Sequence, residues 1–270
     1  MKKLVTSLLV LAAVAAFATA STAAPIFVED FSYAVGTALN GTGGWSAHSG
    51  AGTNPQTVNT AGGLTYAGYP SSGVGNLLGP LATSGEDNNH TFAGQAAGAV
   101  YAAFMINVAS SQTTGDYLFH LVDGAIAGNI FRARVFVKKD GASTNYALGI
   151  QFGSTLNAVY TPFSFVPGTT HLLVVKYTFV AGAANDIASL YIDPVVECVE
   201  PAQATVSTTD ATQTDAVSLQ GVAIRQGTAA NAAAAQLDGI RIGTTWGDAV
   251  CPDPTPASKS TWGSLKSIYR

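Results

Sequence analysis

Charge is scarce in this chain: 10% of its 270 residues are Asp, Glu, Lys or Arg. Sixteen acids and twelve bases leave a formal charge of −4 with no basic face, which argues against nucleic acid as a partner. Glutamate is rarer still, with Glu29, Glu86, Glu197 and Glu200 as the full set. Glycoside hydrolysis needs one acid to protonate the leaving oxygen and, in the retaining case, a carboxylate about 5–5.5 Å away to attack the sugar. Alternate positions on a strand would put two such groups on one face. Glu29 adjoins Asp30, Glu86 adjoins Asp87 in a polar turn, and Glu197 and Glu200 flank Cys198 at a spacing that breaks alternation. The chain also lacks a G-x-S-x-G elbow, an H-E-x-x-H pair and a phosphate-binding P-loop. It reads as a protein without a catalytic site.

Cysteine is limited to Cys198 and Cys251, and neither has a second Cys or a His at metal-ligand spacing. His48, His90, His120 and His171 are scattered. His120 falls inside an apolar strand, as a buried and satisfied histidine does, and His171 begins a strand at a sheet edge. Long apolar runs are absent after the N-terminus, so no later segment approaches the ~20 residues of a membrane span.

The N-terminus itself has the plan of a secretory signal over residues 1–24. Met1, Lys2 and Lys3 supply the positive region, Leu4 to Phe17 the apolar region, and Ala18-Thr19-Ala20 and Ser21-Thr22-Ala23 the small residues of a cleavage site. Its alanine-rich style is bacterial. Export to the periplasm, cell surface or medium favours oxidation of the two cysteines to one disulfide. A loop of this length corresponds to about 4 kcal/mol in the chain-entropy model.

Helical periodicity is almost missing too; short strands take its place. Leu172–Val195 reads as a hairpin, LLVVKYTFV and IASLYIDPV joined by a turn at Gly182, Asn185 and Asp186. Further strands are expected at 26–33, 64–69, 74–81, 100–109, 117–124, 130–141, 146–152, 159–160, 217–227 and 236–243. In 130–141, alternation assigns Phe131, Ala133, Val135 and Val137 to one face and Arg132, Arg134, Phe136 and Lys138 to the other. Residues 35–45 form a Gly-rich loop ending in Trp45. Residues 46–61 read as irregular, 84–90 as an exposed turn, 201–214 as a polar loop and 229–235 as a further loop. About a dozen short strands without helices make an all-β, two-sheet antiparallel sandwich over residues 25–251.

Three stretches carry a resemblance. Glu29-Asp30-Phe31-Ser32-Tyr33 with Gly36, Leu39 and Gly43-Gly44-Trp45 comes first. The second is Leu173–Tyr177 with Asn185-Asp186 and Leu190–Pro194, and the third Leu237-Asp238-Gly239-Ile240-Arg241-Ile242-Gly243 with Thr245-Trp246. Together they resemble secreted bacterial jelly-roll domains of the laminin-G-like, concanavalin A-like lectin/glucanase group. The resemblance covers most of residues 27–250. It implies a jelly roll, and with it a carbohydrate-binding or adhesive module at the cell surface or matrix.

Candidate ligand-binding aromatics are Trp45, Tyr69 and Tyr117, with Tyr66, Tyr146 and Tyr160 also available. Trp45 and Trp246 fall at recurring positions of the resemblance, which suits packing. Asp30 and Asp238 become candidate ligands of a structural calcium if the first and last strands pair, with Asp186 and Asp193 as other candidates. After a Pro-rich linker from Pro252, the tail brings Trp262, Leu265 and Tyr269 to helical spacing beside Lys266 and Arg270. That tail reads as a docking or sorting peptide. Two functions follow as expectations, with glycoside hydrolase as a minor third: a non-catalytic module for polysaccharide, or a structural protein self-associating through sheet edges or the tail. Exposed aromatics clustered on one face favour the first, a long unprotected edge strand the second.

Overall fold

The computed structural model describes residues 24–81, 84–128 and 130–251 of the chain. The segments taken as a signal peptide and as a docking tail, with Trp262, Leu265, Lys266, Tyr269 and Arg270, lie outside the described residues. Strands form where β-branched and aromatic residues alternate, and the order begins β1 (Phe27–Glu29), β2 (Ser46–Ser49), β3 (Val58–Ala61), β4 (Asn76–Leu81) and β5 (Asp87–Gln95). It continues with β6 (Ala99–Ser110), β7 (Asp116–Asp123), β8 (Phe131–Lys139), β9 (Tyr146–Gln151) and β10 (Val159–Tyr160). The remainder is β11 (Thr170–Thr178), β12 (Ile187–Ile192), β13 (Val206–Thr208), β14 (Leu219–Ile224), β15 (Ala234–Gly243) and the short helix α1 (Trp246–Val250).

Two antiparallel sheets pack face to face as a jelly roll. One has eight strands, β13-β12-β11-β6-β15-β4-β3, with β1 also paired to β15. The other has seven, β10-β9-β8-β7-β14-β5-β2. The organising hairpin is β11–β12, in register from Leu173 opposite Ile192 to Thr178 opposite Ile187. Between the sheets, Val100, Ala102, Phe104, Ile106 and Val108 of β6 meet Phe119 and Leu121 of β7. The Phe104 and Phe119 rings stack at 4.2 Å, and each aromatic or branched side chain buried here contributes roughly 1.5–3 kcal/mol.

The eight-stranded sheet is buried on its outer face as well. Tyr101, Ala103 and Met105 of β6 and Leu172 and Val174 of β11 lie beneath Leu64, Tyr69 and α1. This cover is tied down by polar bonds: Leu64 N donates to Asp238 Oδ2 at 2.7 Å, Tyr69 Oη to the Gly239 carbonyl at 2.7 Å, and Trp246 Nε1 to the Glu197 carbonyl at 2.9 Å. A capping box between Thr245 and Asp248 starts α1, which runs into the Cys198–Cys251 disulfide.

Three expectations need correction. Residues 64–69 are part of this cover, with no strand among them. The stretch 84–90 is no exposed turn: Glu86, Asp87, Asn88 and Asn89 are all buried, and β5 starts among them. Polar composition misleads there because the partners are remote. Asn88 Nδ2 donates to Gln56 Oε1 at 3.1 Å, and Gln226 N donates to Asp87 Oδ1 at 2.8 Å. Third, the supposedly irregular 46–61 and 201–214 contain the edge strands β2, β3 and β13, too short and polar for periodicity to reveal.

The disulfide closes a sequence separation of 53 residues. Replacing both cysteines by serine is expected to lower the unfolding free energy by up to about 4 kcal/mol, read as a lower midpoint in urea titrations. An unchanged midpoint would mean that Trp246 and its neighbours hold the cover without the bridge.

Candidate functional site

The outer face of the seven-stranded sheet contrasts with that of its partner. Alternation turns Leu148 and Ile150 of β9 and Leu219, Val222 and Ile224 of β14 into the core, leaving Gly149, Gly221 and Ala223 on the outer side. Larger side chains from β2, β7, β8 and β10, with Arg225 just past β14, stand on this side.

A β-bulge decides which ones. Phe119 pairs with Val135 and Leu121 with Arg132, so β8 spends three residues where β7 spends two. Ala133 absorbs the extra residue with φ of 49°, a left-handed conformation uncommon for a residue with a Cβ. The uniform alternation expected for 130–141 is therefore broken. Arg132, expected outside, is buried, where Nη2 meets Asp123 Oδ2 at 3.2 Å and the Asp215 carbonyl at 3.3 Å. Phe131, expected in the core, turns outward against His120 at 4.1 Å and His48 at 6.0 Å. Beyond the bulge the expected pattern holds, with Arg134, Phe136 and Lys138 outside and Val135 and Val137 in the core.

The result is a connected row of rings and cations. Tyr117 of β7 lies 5.5 Å from Phe136 and 5.7 Å from His120, and Phe136 lies 6.3 Å from Tyr160 of β10. Tyr160 lies flat against β9, where a Cβ on Gly149 would come within 2.6 Å of its ring, so glycine is required for this approach. The Arg225 guanidinium sits 4.2 Å from the Tyr117 ring centre and pairs with Asp116 at 2.7 Å. Arg134 lies 4.8 Å from the Tyr117 ring and 5.5 Å from the Phe131 ring, and Lys138 Nζ lies 5.6 Å from the Tyr160 ring. Tyr117, Phe131, Arg134, Phe136, Lys138 and Tyr160 are all half-buried, each keeping some surface in solvent.

Burial sets the electrostatics of this face. It pulls His120 well below the usual histidine range and lowers His48, so both rings are neutral at neutral pH. His120 Nδ1 lies 3.3 Å from the Leu121 carbonyl, which assigns its proton there and leaves Nε2 as an acceptor; that atom is buried without a hydrogen-bond partner. Burial, helped by Asp116, pushes Tyr160 up to about 12. Burial also raises Asp87 to about 6, against its bond from Gln226 N and the charge of Arg225. The acids nearest the row are thus Asp116, already ion-paired, and Asp87, held by a backbone N–H. Neither stands as a free acid–nucleophile partner, and Glu200 is engaged beside the other sheet by Lys176, Tyr101 and Tyr191.

Of the aromatics singled out from the sequence, Tyr117 lies on this face. Trp45 and Tyr69 do not, and as ligand-stacking residues they are corrected. Trp45 is 1% exposed, its Nε1 bonded to Glu29 Oε2 at 2.8 Å, and Tyr69 is 3% exposed under the cover of the opposite sheet. His171 is buried too, with Nδ1 2.6 Å from Asp193.

Pairing of β1 with β15 brings Asp30 and Asp238 within electrostatic range, as the calcium expectation required. The residues nevertheless do not fit a hard-cation site. Both Asp238 oxygens accept backbone N–H groups, and burial, opposed by those bonds and reinforced by Asp30 and Glu29, raises its pKa to about 8. With Leu64 N on Oδ2 and Gly239 N on Oδ1, Asp238 already spends both oxygens on backbone donors. No cluster of three or more His, Cys, Asp or Glu placed for a metal exists among the described residues. Asp186 is likewise engaged, by Tyr177 Oη at 2.8 Å and Val180 N at 2.7 Å.

Arg134, Phe131, Phe136 and His48 escaped the list of candidates drawn from sequence. The Arg-x-Phe-x-Lys alternation of 134–138 was the readable signal; the bulge that adds Phe131 was not.

No protein-family model matches the chain, and no curated protein matches it. Among solved structures it is similar to the CBM2 module of the evolved Dit of Lactobacillus casei BL23 phage J-1 (10% identity, 83% of this chain and 96% of that one, TM-score 0.46). It is similar to domain 4 of AbnA, a GH43 extracellular arabinanase from Geobacillus stearothermophilus, in complex with arabinotriose (14% identity, 92% and 100%, TM-score 0.41). A third is an alginate lyase Aly36B mutant in complex with alginate trisaccharide (16% identity, 82% and 98%, TM-score 0.45). Likenesses this remote transfer neither ligand nor activity.

The raised pKa of Asp238 has a consequence for stability. Its ordinary value is 3.8 and its folded value about 8, so the folded state holds the proton more tightly. That contribution is complete below pH 4 and fades as pH rises through 8. Asp238→Asn is expected to flatten the fall in unfolding free energy between pH 4 and 8, measured by urea titrations at several pH values. Parallel curves for the two proteins would show that Asp238 is ionised throughout.

Proposed function

We propose that this chain is an exported, non-catalytic jelly-roll module that binds carbohydrate on the outer face of its seven-stranded sheet. One observation carries the reading: Tyr117, Phe131, Phe136 and Tyr160 stand half-buried on a single face, in ring contact with cations and histidines. Aromatic faces offer a sugar ring flat apolar contact at little conformational cost, and flanking polar groups orient its hydroxyls.

Export is supported by the N-terminal pattern and by the disulfide. No helix among the described residues is long and apolar enough to cross a membrane. The alternative, a structural protein assembling through sheet edges, finds less support. Edge strands β2, β3, β10 and β13 are four, four, two and three residues long, giving little ladder for another chain to extend.

Retention of the full chain on immobilised polysaccharides in affinity electrophoresis tests the reading. At least one polysaccharide is expected to retard it, and Phe136→Ala or Tyr117→Ala to weaken that binding by about fivefold or more. Val195→Ala, at an exposed position beside Tyr191 and Glu200 of the opposite sheet, should leave it unchanged. Absence of retention on every polysaccharide would overturn the assignment.

A further inference from the structure

The row contains an unmet electrostatic demand. A guanidinium removed from water is ordinarily compensated by a carboxylate or by carbonyl oxygens. Arg132 has Asp123 and Arg225 has Asp116. Arg134 is half-buried between Tyr117 and Phe131, its Nε buried without a hydrogen-bond partner, and it stands outside the ion pairs seen among the described residues. Burial lowers its pKa, the expected response of a cation short of solvent and counter-charge. Lys138 is also outside those ion pairs and rests against the Tyr160 ring.

We infer that the open face recognises an acidic saccharide chain, with Arg134 bonding an anionic substituent of one sugar while the neighbouring aromatics stack the rings. The inference rests on the carbohydrate reading above and specifies its ligand class. A planar guanidinium matches a carboxylate or sulfate in a forked, two-bond geometry, and the flanking rings fix its plane. Arg134 and Lys138 are four positions apart on one strand, a separation of about 13 Å, with Phe136 between them. Cation, ring, cation at that spacing suits a chain with repeated charges better than a single sugar. Aspartates oppose this less than their number suggests: Asp116 is neutralised by Arg225, and Asp87 is partly protonated near pH 6.

The full chain is compared on four immobilised polymers: polygalacturonate, its methyl ester, a sulfated galactan and a neutral β-glucan. Binding to polygalacturonate that is lost on methylation and weakened by added salt is the expected result for a carboxylate ligand; stronger binding to the sulfated galactan supports the inference with sulfate as the anion. Arg134→Gln is expected to weaken the favoured acidic polymer by about tenfold or more, and Arg134→Lys by less. Equal binding to the methyl ester or the neutral glucan, or unchanged binding by Arg134→Gln, would overturn the acidic class while leaving carbohydrate binding intact. Silence on all four would remove both. The polymer comparison uses the unaltered protein, so it decides even if a substitution disturbs folding.

Discussion

A carboxylate cut off from water must be satisfied by donors fixed in the fold, and the joints of this protein depend on that constraint. Glu29, Glu86, Asp87, Asp123, Asp186, Asp210, Asp238 and Asp248 are all buried. Glu29 alone gathers Phe31 N at 2.7 Å, Tyr33 Oη at 2.8 Å and Trp45 Nε1 at 2.8 Å, tying the first strand to the glycine-rich loop. Asp123 takes Val217 N and Ser218 N at 2.9 and 3.1 Å, and Asp248 takes Thr244 N and Thr245 N at 3.0 and 2.8 Å. Each of these side chains accepts backbone N–H groups that a loop would otherwise leave unpaired. Few charges remain for the surface, and this explains how a chain so poor in ionic residues holds long irregular connections in place.

The two sheets are consequently unequal. Cover residues pinned by Asp238, the Trp246 indole and the disulfide close the outer face of the eight-stranded sheet with apolar packing. The seven-stranded sheet keeps its aromatics and cations half in solvent. Division of labour follows from this asymmetry: one sheet is a wall, the other a surface able to meet a ligand.

Chemistry on that surface is set by irregularities in the β7–β8 pairing, of which the extra residue of β8 is one. Without the bulge at Ala133, Arg132 would join Arg134 outside and Phe131 would enter the core. With it, the buried Arg132 ties β8 to Asp123 and the 215 region, and Phe131 completes the walls around Arg134. A left-handed alanine is a cost of order 1–2 kcal/mol, offset by the Arg132–Asp123 pair and by the buried Cβ it leaves in the core.

Much of the fold was legible in the residues themselves. The continuous apolar runs of β6 and β11, the alternation of 134–138 in β8, the turn residues after Val180 and the even cysteine count specify an all-β chain with a central hairpin and one disulfide, because strand propensity and turn geometry are local properties. Tyr117 was legible only as an available aromatic: strict alternation would turn it inward with Phe119 and Leu121, and the irregular pairing between Tyr117 and Phe119 leaves it outside. What required tertiary structure was every judgement about environment. Trp45 and Tyr69 have the composition of ligand aromatics but lie beneath Glu29 and the cover loop; Asp238 looks like a metal ligand but is surrounded by backbone donors from Leu64 and Gly239. Glu86–Asn89 looks solvated but finds Gln56 and Gln226 across the fold. Period two determined which residues could share a face, by local geometry alone. Which face stayed open, and which cation on it lacked a partner, was decided by contacts between residues tens to more than a hundred positions apart, which no local pattern encodes.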